Sequence, residues 1–232
     1  MGDQVKWLKK IITAILLFLI VFAGYALYVN RNLIDMTPRQ KILKTFYPAL
    51  MWFTKLTGTN AANLKNESAV PAISFYSLQA IMNDGSRFDL SAFKGKKILL
   101  VNTASDCGYT DQYAELEKLY QQHKGQLAIL AFPANDFKEQ EKGNDAAIAE
   151  FCKRNYGVNF PVMAKSVVIR SDQQNPVFNW LTTPASNGWN NKAPSWNFSK
   201  YLVNEQGQLT HYFDPSISPL DKEVINAVTG IK

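Results

Sequence analysis

Lys97-Ile98-Leu99-Leu100-Val101-Asn102-Thr103-Ala104-Ser105-Asp106-Cys107-Gly108-Tyr109-Thr110 is the stretch that decides the fold. Ile98 to Val101 form a continuous apolar run after a basic start, the pattern of a buried central strand. A loop of small residues follows, and Asp111 to His123 carry Tyr113, Leu116, Leu119 and Tyr120 at helical spacing. Gly125 marks the end of that helix. A strand, a short loop and a helix thus present Cys107 close to a helix N-terminus. Unpaired N–H groups and the helix dipole favour an anion there. The expectation is a thiol that ionises more easily than a free cysteine, and the thiolate is the nucleophilic form.

Working outward, Leu127 to Phe132 read as a second buried strand, and Asn144 caps a helix that runs to Arg154. Ile73 to Leu78 read as a strand, and Asp84-Gly85 as a hairpin turn. Val167 to Ile169 read as a short strand, Pro176 to Leu181 as a helical turn or two. Tyr201 to Val203 and Leu209 to Phe213 flank the turn Glu205 to Gln208 as an antiparallel hairpin, and Asp221 to Val228 close as a helix. A βαβ half followed by a ββα half gives an α/β domain with a central mixed sheet and helices on both faces, which is thioredoxin-like architecture. No internal repeat and no Gly-rich phosphate loop occurs.

The N-terminal region has a different character. Ile11 to Val29 are 19 residues without a charge. Roughly 20 apolar residues cross the hydrocarbon core as a helix. Lys6, Lys9 and Lys10 precede the run, and Tyr25 and Tyr28 lie near its far end, where aromatic rings favour the interface. The apolar core of a cleaved signal peptide is usually only about 7–15 residues, and Gly24-Tyr25-Ala26 is a poor cleavage site. The expected organisation is a basic N-terminus (1–10), a transmembrane anchor (11–29), a juxtamembrane amphipathic segment and linker (30–69) and a folded domain (70–232). A short basic N-terminus before a first span resembles a signal anchor, which places the domain on the extracytoplasmic side. In the juxtamembrane segment Ile42, Phe46, Leu50 and Phe53 recur at helical spacing, with Pro48 expected to kink or divide the helix. Its apolar stripe suits either a membrane surface or packing on the domain or another chain. Gly58 through Ser68 read as a polar linker.

The charge is equally uneven. Residues 1–69 carry nine Lys and Arg against three acids, while the remaining 163 carry 16 of each sign. The domain itself is neutral, which argues against nucleic acid as partner. The basic anchor region suits anionic lipid. Two cysteines are too few for a disulfide scaffold, and His123 and His211 share no ligand spacing with them, so no zinc site is expected.

Three ordered stretches resemble the glutathione peroxidase family: Asn102 to Thr110, Phe132-Pro133-Ala134-Asn135-Asp136-Phe137-Lys138-Glu139-Gln140-Glu141, and Trp196-Asn197-Phe198-Ser199-Lys200-Tyr201-Leu202-Val203. Glu150 to Pro161 matches as well, and the resemblance covers about residues 72–229. It implies a thiol peroxidase without a cofactor that reduces hydrogen peroxide or organic and lipid hydroperoxides. Cys107 is then the peroxidatic residue, surrounded by Gln140, Trp196 and Asn197. Their amides and indole N–H supply donors to a leaving alkoxide. Cys152 is implied to be the resolving cysteine, with a thioredoxin-like protein or glutathione as reductant; its bland alternative is a small buried hydrophobe. The chain departs from the family at Lys138-Glu139, where small residues are common before the glutamine, at Asp136, where glutamine is common, and at Ala134, where many relatives have a further cysteine. The short stretch from Thr183 to Ser195 implies a monomeric catalytic domain. A redox sensor or a thiol–disulfide carrier on the same fold are the competing readings. A carrier normally needs Cys-x-x-Cys, and Cys107-Gly108-Tyr109-Thr110 ends in threonine.

Overall fold

The apolar run becomes strand β4, Lys97–Thr103, in which every residue after Lys97 is buried. The computed structural model describes residues 2–33, 35–58 and 62–230. In chain order the other elements are α1 (Gly2–Val29), α2 (Pro38–Thr57), β1 (Asn63–Lys65), β2 (Gln79–Ile81), β3 (Arg87–Asp89), α3 (Gln112–His123), β5 (Leu127–Pro133), α4 (Asp145–Tyr156), α5 (Pro176–Thr182), α6 (Pro184–Asn187), β6 (Lys200–Val203), β7 (Leu209–Phe213) and α7 (Lys222–Thr229).

The main sheet has the order β1-β7-β6-β4-β5. β4 pairs parallel with β5 and antiparallel with β6, and β6 pairs antiparallel with β7, so the sheet is mixed. Side chains alternate across it. Leu99 and Val101 join one core layer with Leu116, Ile148 and Val224 from α3, α4 and α7. Ile98 and Leu100 join the other with Phe178 and Leu181 of α5. Each fully buried Leu or Ile contributes about 1.5–3 kcal/mol, so the central strand is held from both faces. This is the thioredoxin fold that the element order implies. The β4-to-α3 crossover leaves residues 104–111 at the carboxyl end of the parallel pair, the usual place for a site in an open α/β sheet.

Three local readings are corrected. Ile73 to Leu78 do not form a strand: Phe75–Ser77 make a 3-10 turn. Phe75 is fully buried with its ring 5.3 Å from that of Trp180, so its apolarity serves packing and not a ladder. Val167 to Ile169 form only an isolated bridge from Val167 to Gln174. The expected linker supplies a strand: β1 pairs antiparallel with β7 along the sheet edge, Leu64 opposite Tyr212. Thr59 to Ala61 of that linker lie outside the described residues.

Helix α2 is one helix despite Pro48 in its interior, and Thr37 and Gln40 cap its start reciprocally. The ring of Pro48 lies at an exposed position. The helix packs across the loop that carries Cys107. Gln40 Nε2 donates to the Ser105 carbonyl at 3.0 Å. Arg39 pairs with Asp106, and Lys44 with Asp111. A Cβ on Gly108 would lie 3.4 Å from Leu50 Cδ2, and Tyr47 is buried beside Glu115. Met36, just before the helix, joins the core layer beneath. Surface ion pairs each contribute at most about 1 kcal/mol, so the buried Met36 and Tyr47 hold the helix more than the charges do.

Candidate active site

Cys107 sits in the turn between β4 and α3 and is 1 % exposed. Its backbone N–H donates to Thr110 Oγ1 at 3.0 Å, and that hydroxyl donates to the Ala104 carbonyl at 2.8 Å. The small residues of the loop and Thr110 thereby fold it into a tight turn. The turn aims the Tyr109 N–H at the sulfur, 3.4 Å away.

Two further donors converge from a distant part of the chain. The side chains of Trp196 and Asn197 act on the Cys107 thiol as donors that favour its charged form. They arrive there because the chain turns sharply into β6. Phe198 takes a left-handed backbone (φ 71°), and its N–H donates to the Asn102 carbonyl at the end of β4. Such a backbone costs about 1–2 kcal/mol for a residue other than glycine, and full burial of the Phe198 ring offsets it. Trp196 is half-buried, its ring 5.5 Å from Phe137 with the Lys138 ammonium 5.6 Å from its centroid.

Gln140 reaches the group through Asn197: Asn197 Nδ2 donates to Gln140 Oε1 at 3.1 Å. Its carbonyl also accepts the Asp106 N–H at 3.0 Å, fastening the two loops together. The preceding Lys138 and Glu139 have φ of 52° and 51°. These are the positions where the resemblance leads one to expect small residues. The loop keeps its left-handed shape here without glycine, at a cost in strain.

The expectation about ionisation is reversed in this resting arrangement. Burial pushes the Cys107 thiol up to about 11, and hydrogen bonds from Tyr109, Trp196 and Asn197 act in the opposite sense. Asp106 adds a smaller upward push. Cys107 precedes the first residue of α3 by five positions, so the dipole at that helix start does little to offset desolvation. The thiol is therefore largely protonated at neutral pH, with three donors ready for negative charge.

Cys152 lies in α4, within the same core layer as Cys107. Both cysteines are free and buried. Burial pushes the Cys152 thiol up to about 12, with the nearby Tyr113 side chain acting downward. The Cys152 carbonyl accepts the Val158 N–H at 3.3 Å at the end of the helix. Cys152 also lines a shallow surface cavity with Met82, Val158 and Phe160. The structure thus brings Cys107, Trp196, Asn197 and Gln140 into one cluster. Cys152 shares their core layer from a separate helix.

One site feature was missed in the sequence. Glu141 is fully buried, with Oε1 accepting from Ser105 Oγ at 2.7 Å and its N–H donating to Asn135 Oδ1 at 2.9 Å. Its Oε2 has no hydrogen-bond partner among the described residues. Burial pushes its carboxyl up to about 7, against the hydrogen bonds from Ser105. Nothing in Gln140-Glu141 distinguishes a buried carboxylate from a solvated one, because Ser105 of the Cys107 loop and residues of α4 gather around it only in three dimensions. A raised carboxyl binds more protons folded than unfolded between about pH 4.5 and 7, so stability falls as pH rises through that window. The loss from this group is roughly 3 kcal/mol. Glu141→Gln is expected to remove that fall, read as denaturation midpoints of the detergent-solubilised chain across the same pH range.

Comparison with known proteins gives a consistent result. Residues 75–182 match the family model described as glutathione peroxidase. The glutathione peroxidase-like peroxiredoxin gpx1 of Schizosaccharomyces pombe is 44 % identical over 146 residues, covering 62 % of this chain and 91 % of that protein. The glutathione peroxidase homolog BsaA of Staphylococcus epidermidis is 42 % identical over 147 residues, covering 63 % and 92 %. Among solved structures, T. cruzi GPX1 superposes with a TM-score of 0.51 at 32 % identity, covering 68 % of this chain and 99 % of that one.

Proposed function

This chain belongs to the glutathione peroxidase family and is a thiol peroxidase, and from that premise we propose that Cys107 is its peroxidatic residue, with Trp196 and Asn197 as donors and Gln140 positioning Asn197. The observation that carries this reading is one buried sulfur that faces the Tyr109 N–H at 3.4 Å, with Trp196 and Asn197 acting to favour its charged form.

The chemistry follows from the donors. The Cys107 sulfur attacks one peroxide oxygen, a new S–O bond forms, and the O–O bond breaks. Sulfur is oxidised by two electrons to a sulfenic acid, and the other oxygen leaves as water or an alcohol. The thiol proton ends on that leaving oxygen, so the step is neutral overall. In a dry pocket, neutral donors stabilise the transient negative charge at sulfur and at the departing oxygen without a permanent ion pair. A shallow cavity beside Trp196, lined also by Tyr109, Ser195 and Pro215, offers an approach for the peroxide.

Asn197→Ala removes one such donor and also releases Gln140. The second-order rate of the first oxidation, followed by stopped flow, is expected to fall on the order of 10²-fold. An unchanged rate would exclude Asn197 from the reacting group.

In our reading Cys152 resolves the sulfenic acid. Its sulfur attacks the Cys107 sulfur, a disulfide forms and water leaves. A dithiol reductant of the thioredoxin type then returns two electrons; glutathione is the other candidate donor. Helix α1 is read as a single-pass anchor: its apolar stretch is long enough to span and only 6 % of it is buried. With the N-terminus inside, the domain lies on the extracytoplasmic side, and membrane hydroperoxides come within its reach.

A further inference from the structure

Helix α2 has two unlike faces. One holds the active-site loop through Gln40, Lys44 and Leu50, as described above. At about 100° per residue, Ile42, Phe46, Ala49, Trp52, Phe53 and Leu56 fall on the other side. None is charged, and Trp52 and Leu56 are 66 % and 68 % exposed. Phe46 and Phe53 are exposed as well. The stripe expected from the sequence is thus split: Leu50 turns to the domain, while Phe46 and Phe53 turn away. Contiguous exposure of large apolar side chains marks a surface that something covers.

The place of α2 in the molecule says what that is. Asn30, the residue after α1, donates through Nδ2 to Thr45 Oγ1 at 2.8 Å and to the Lys41 carbonyl at 3.3 Å. The first turns of α2 are therefore tied to the end of the apolar helix, and the two helices pack together. If α1 crosses a bilayer, its last residues mark the bilayer surface, and α2 starts there. Arg31 and Lys41 add positive charge near the end of α1 and the start of α2, while Arg39 and Lys55 pair with Asp106 and Asp221 of the domain. Tryptophan with basic neighbours on an amphipathic helix is the composition of an interfacial seat.

We infer that the outer face of α2 lies in the interfacial layer of the bilayer that α1 crosses, so that one helix both contacts lipid and clamps the loop carrying Cys107. The inference takes its membrane from the reading of α1 as a span. The active-site loop is thereby held at a set height and tilt above the lipid. A domain on a free tether would lack that constraint.

The full chain in phosphatidylcholine vesicles tests this, with Trp7→Phe introduced so that Trp52 is the remaining tryptophan outside the folded domain. Lipids brominated near the headgroup end of the acyl chains serve as shallow quenchers. Expected are quenching of Trp7→Phe, its loss in Trp7→Phe/Trp52→Phe, and its loss with a red shift in Trp7→Phe/Phe53→Glu/Leu56→Glu. Alkaline carbonate extraction reports on α1 separately. Quenching that persists while carbonate strips the chain keeps the α2 seat and overturns only the spanning reading. A chain that resists carbonate yet shows the same quenching with and without Trp52 overturns the seat. So does Trp52 emission that reddens as lipid is added at fixed protein, because the patch is then covered by a second copy of this chain.

Discussion

Cys107→Ser is expected to abolish peroxide reduction, lowering the rate by on the order of 10⁴-fold or more, as removal of a covalent nucleophile does elsewhere. The reason is chemical more than geometric. A serine hydroxyl fills the same turn and accepts from the Tyr109 N–H much as the sulfur does. It does not accept an oxygen atom from a peroxide under these conditions. The substitution removes about one sulfur's worth of volume difference from a buried site, so the fold survives and the activity does not. Circular dichroism and the denaturation midpoint should therefore stay close to wild type while stopped-flow peroxide consumption disappears. A variant that loses both has told only about folding, and Cys107→Ala then supplies the second measurement.

The second large effect falls on the reductive half of the cycle. Cys152→Ala is expected to leave the first oxidation of Cys107 intact, with one equivalent of peroxide consumed at the wild-type rate. Turnover driven by a thioredoxin-type dithiol should collapse after that single event. The separation of the two halves follows from position: Cys152 is in α4 near Tyr113, and of the two thiols only Cys107 has Trp196 and Asn197 acting on it. A disulfide needs Cα atoms within about 7 Å, and a thiol pushed up to about 12 by burial is a poor nucleophile. Opening the last turn of α4 answers both needs, because it frees the Cys152 carbonyl from Val158 and lets water lower the thiol toward its ordinary range. Hydrogen exchange at residues 152–158 should accordingly rise when peroxide is added. Unchanged thioredoxin-driven turnover in Cys152→Ala would remove the two-cysteine cycle and leave a one-cysteine peroxidase.

Much of this arrangement was legible in the chain. Ile98 to Val101 and Leu127 to Phe132 read as buried strands because a parallel pair covered on both faces needs uninterrupted apolar residues. Asn144 announced α4 by its cap, and its side chain does accept the Ala147 N–H at 2.9 Å. The quartet of Cys107, Gln140, Trp196 and Asn197 was legible through resemblance, since no periodicity brings residue 107 to residue 196. What was not legible is tertiary. Asn63 to Lys65 have no strand pattern, and become β1 because β7 offers an unpaired edge. Ile73 to Leu78 look like a strand because Phe75 is apolar for packing. The pKa of Cys107 turned on desolvation, and a local reading of loop and helix start contains no term for how deeply α2 and the loops bury the sulfur. Glu141 was invisible for the same reason.

The clamp made by α2 links these points. Arg39 and Lys44 neutralise Asp106 and Asp111 on either side of Cys107, so the positive residues counted as a lipid-facing surplus in the sequence partly serve the active-site loop instead. Removal of Arg39 would leave Asp106, whose carboxyl is already raised by burial, without the partner that holds it down.

The most direct measurement is a peptide map of the reduced full chain after one equivalent of hydrogen peroxide, quenched and alkylated within the time of a single turnover. Expected are a Cys107–Cys152 linked peptide in the wild-type chain, a sulfenic acid at Cys107 in Cys152→Ala, and no oxidised cysteine in Cys107→Ser. Oxidation that lands first on Cys152, or peroxide consumption at the wild-type rate by Cys107→Ser, would contradict it.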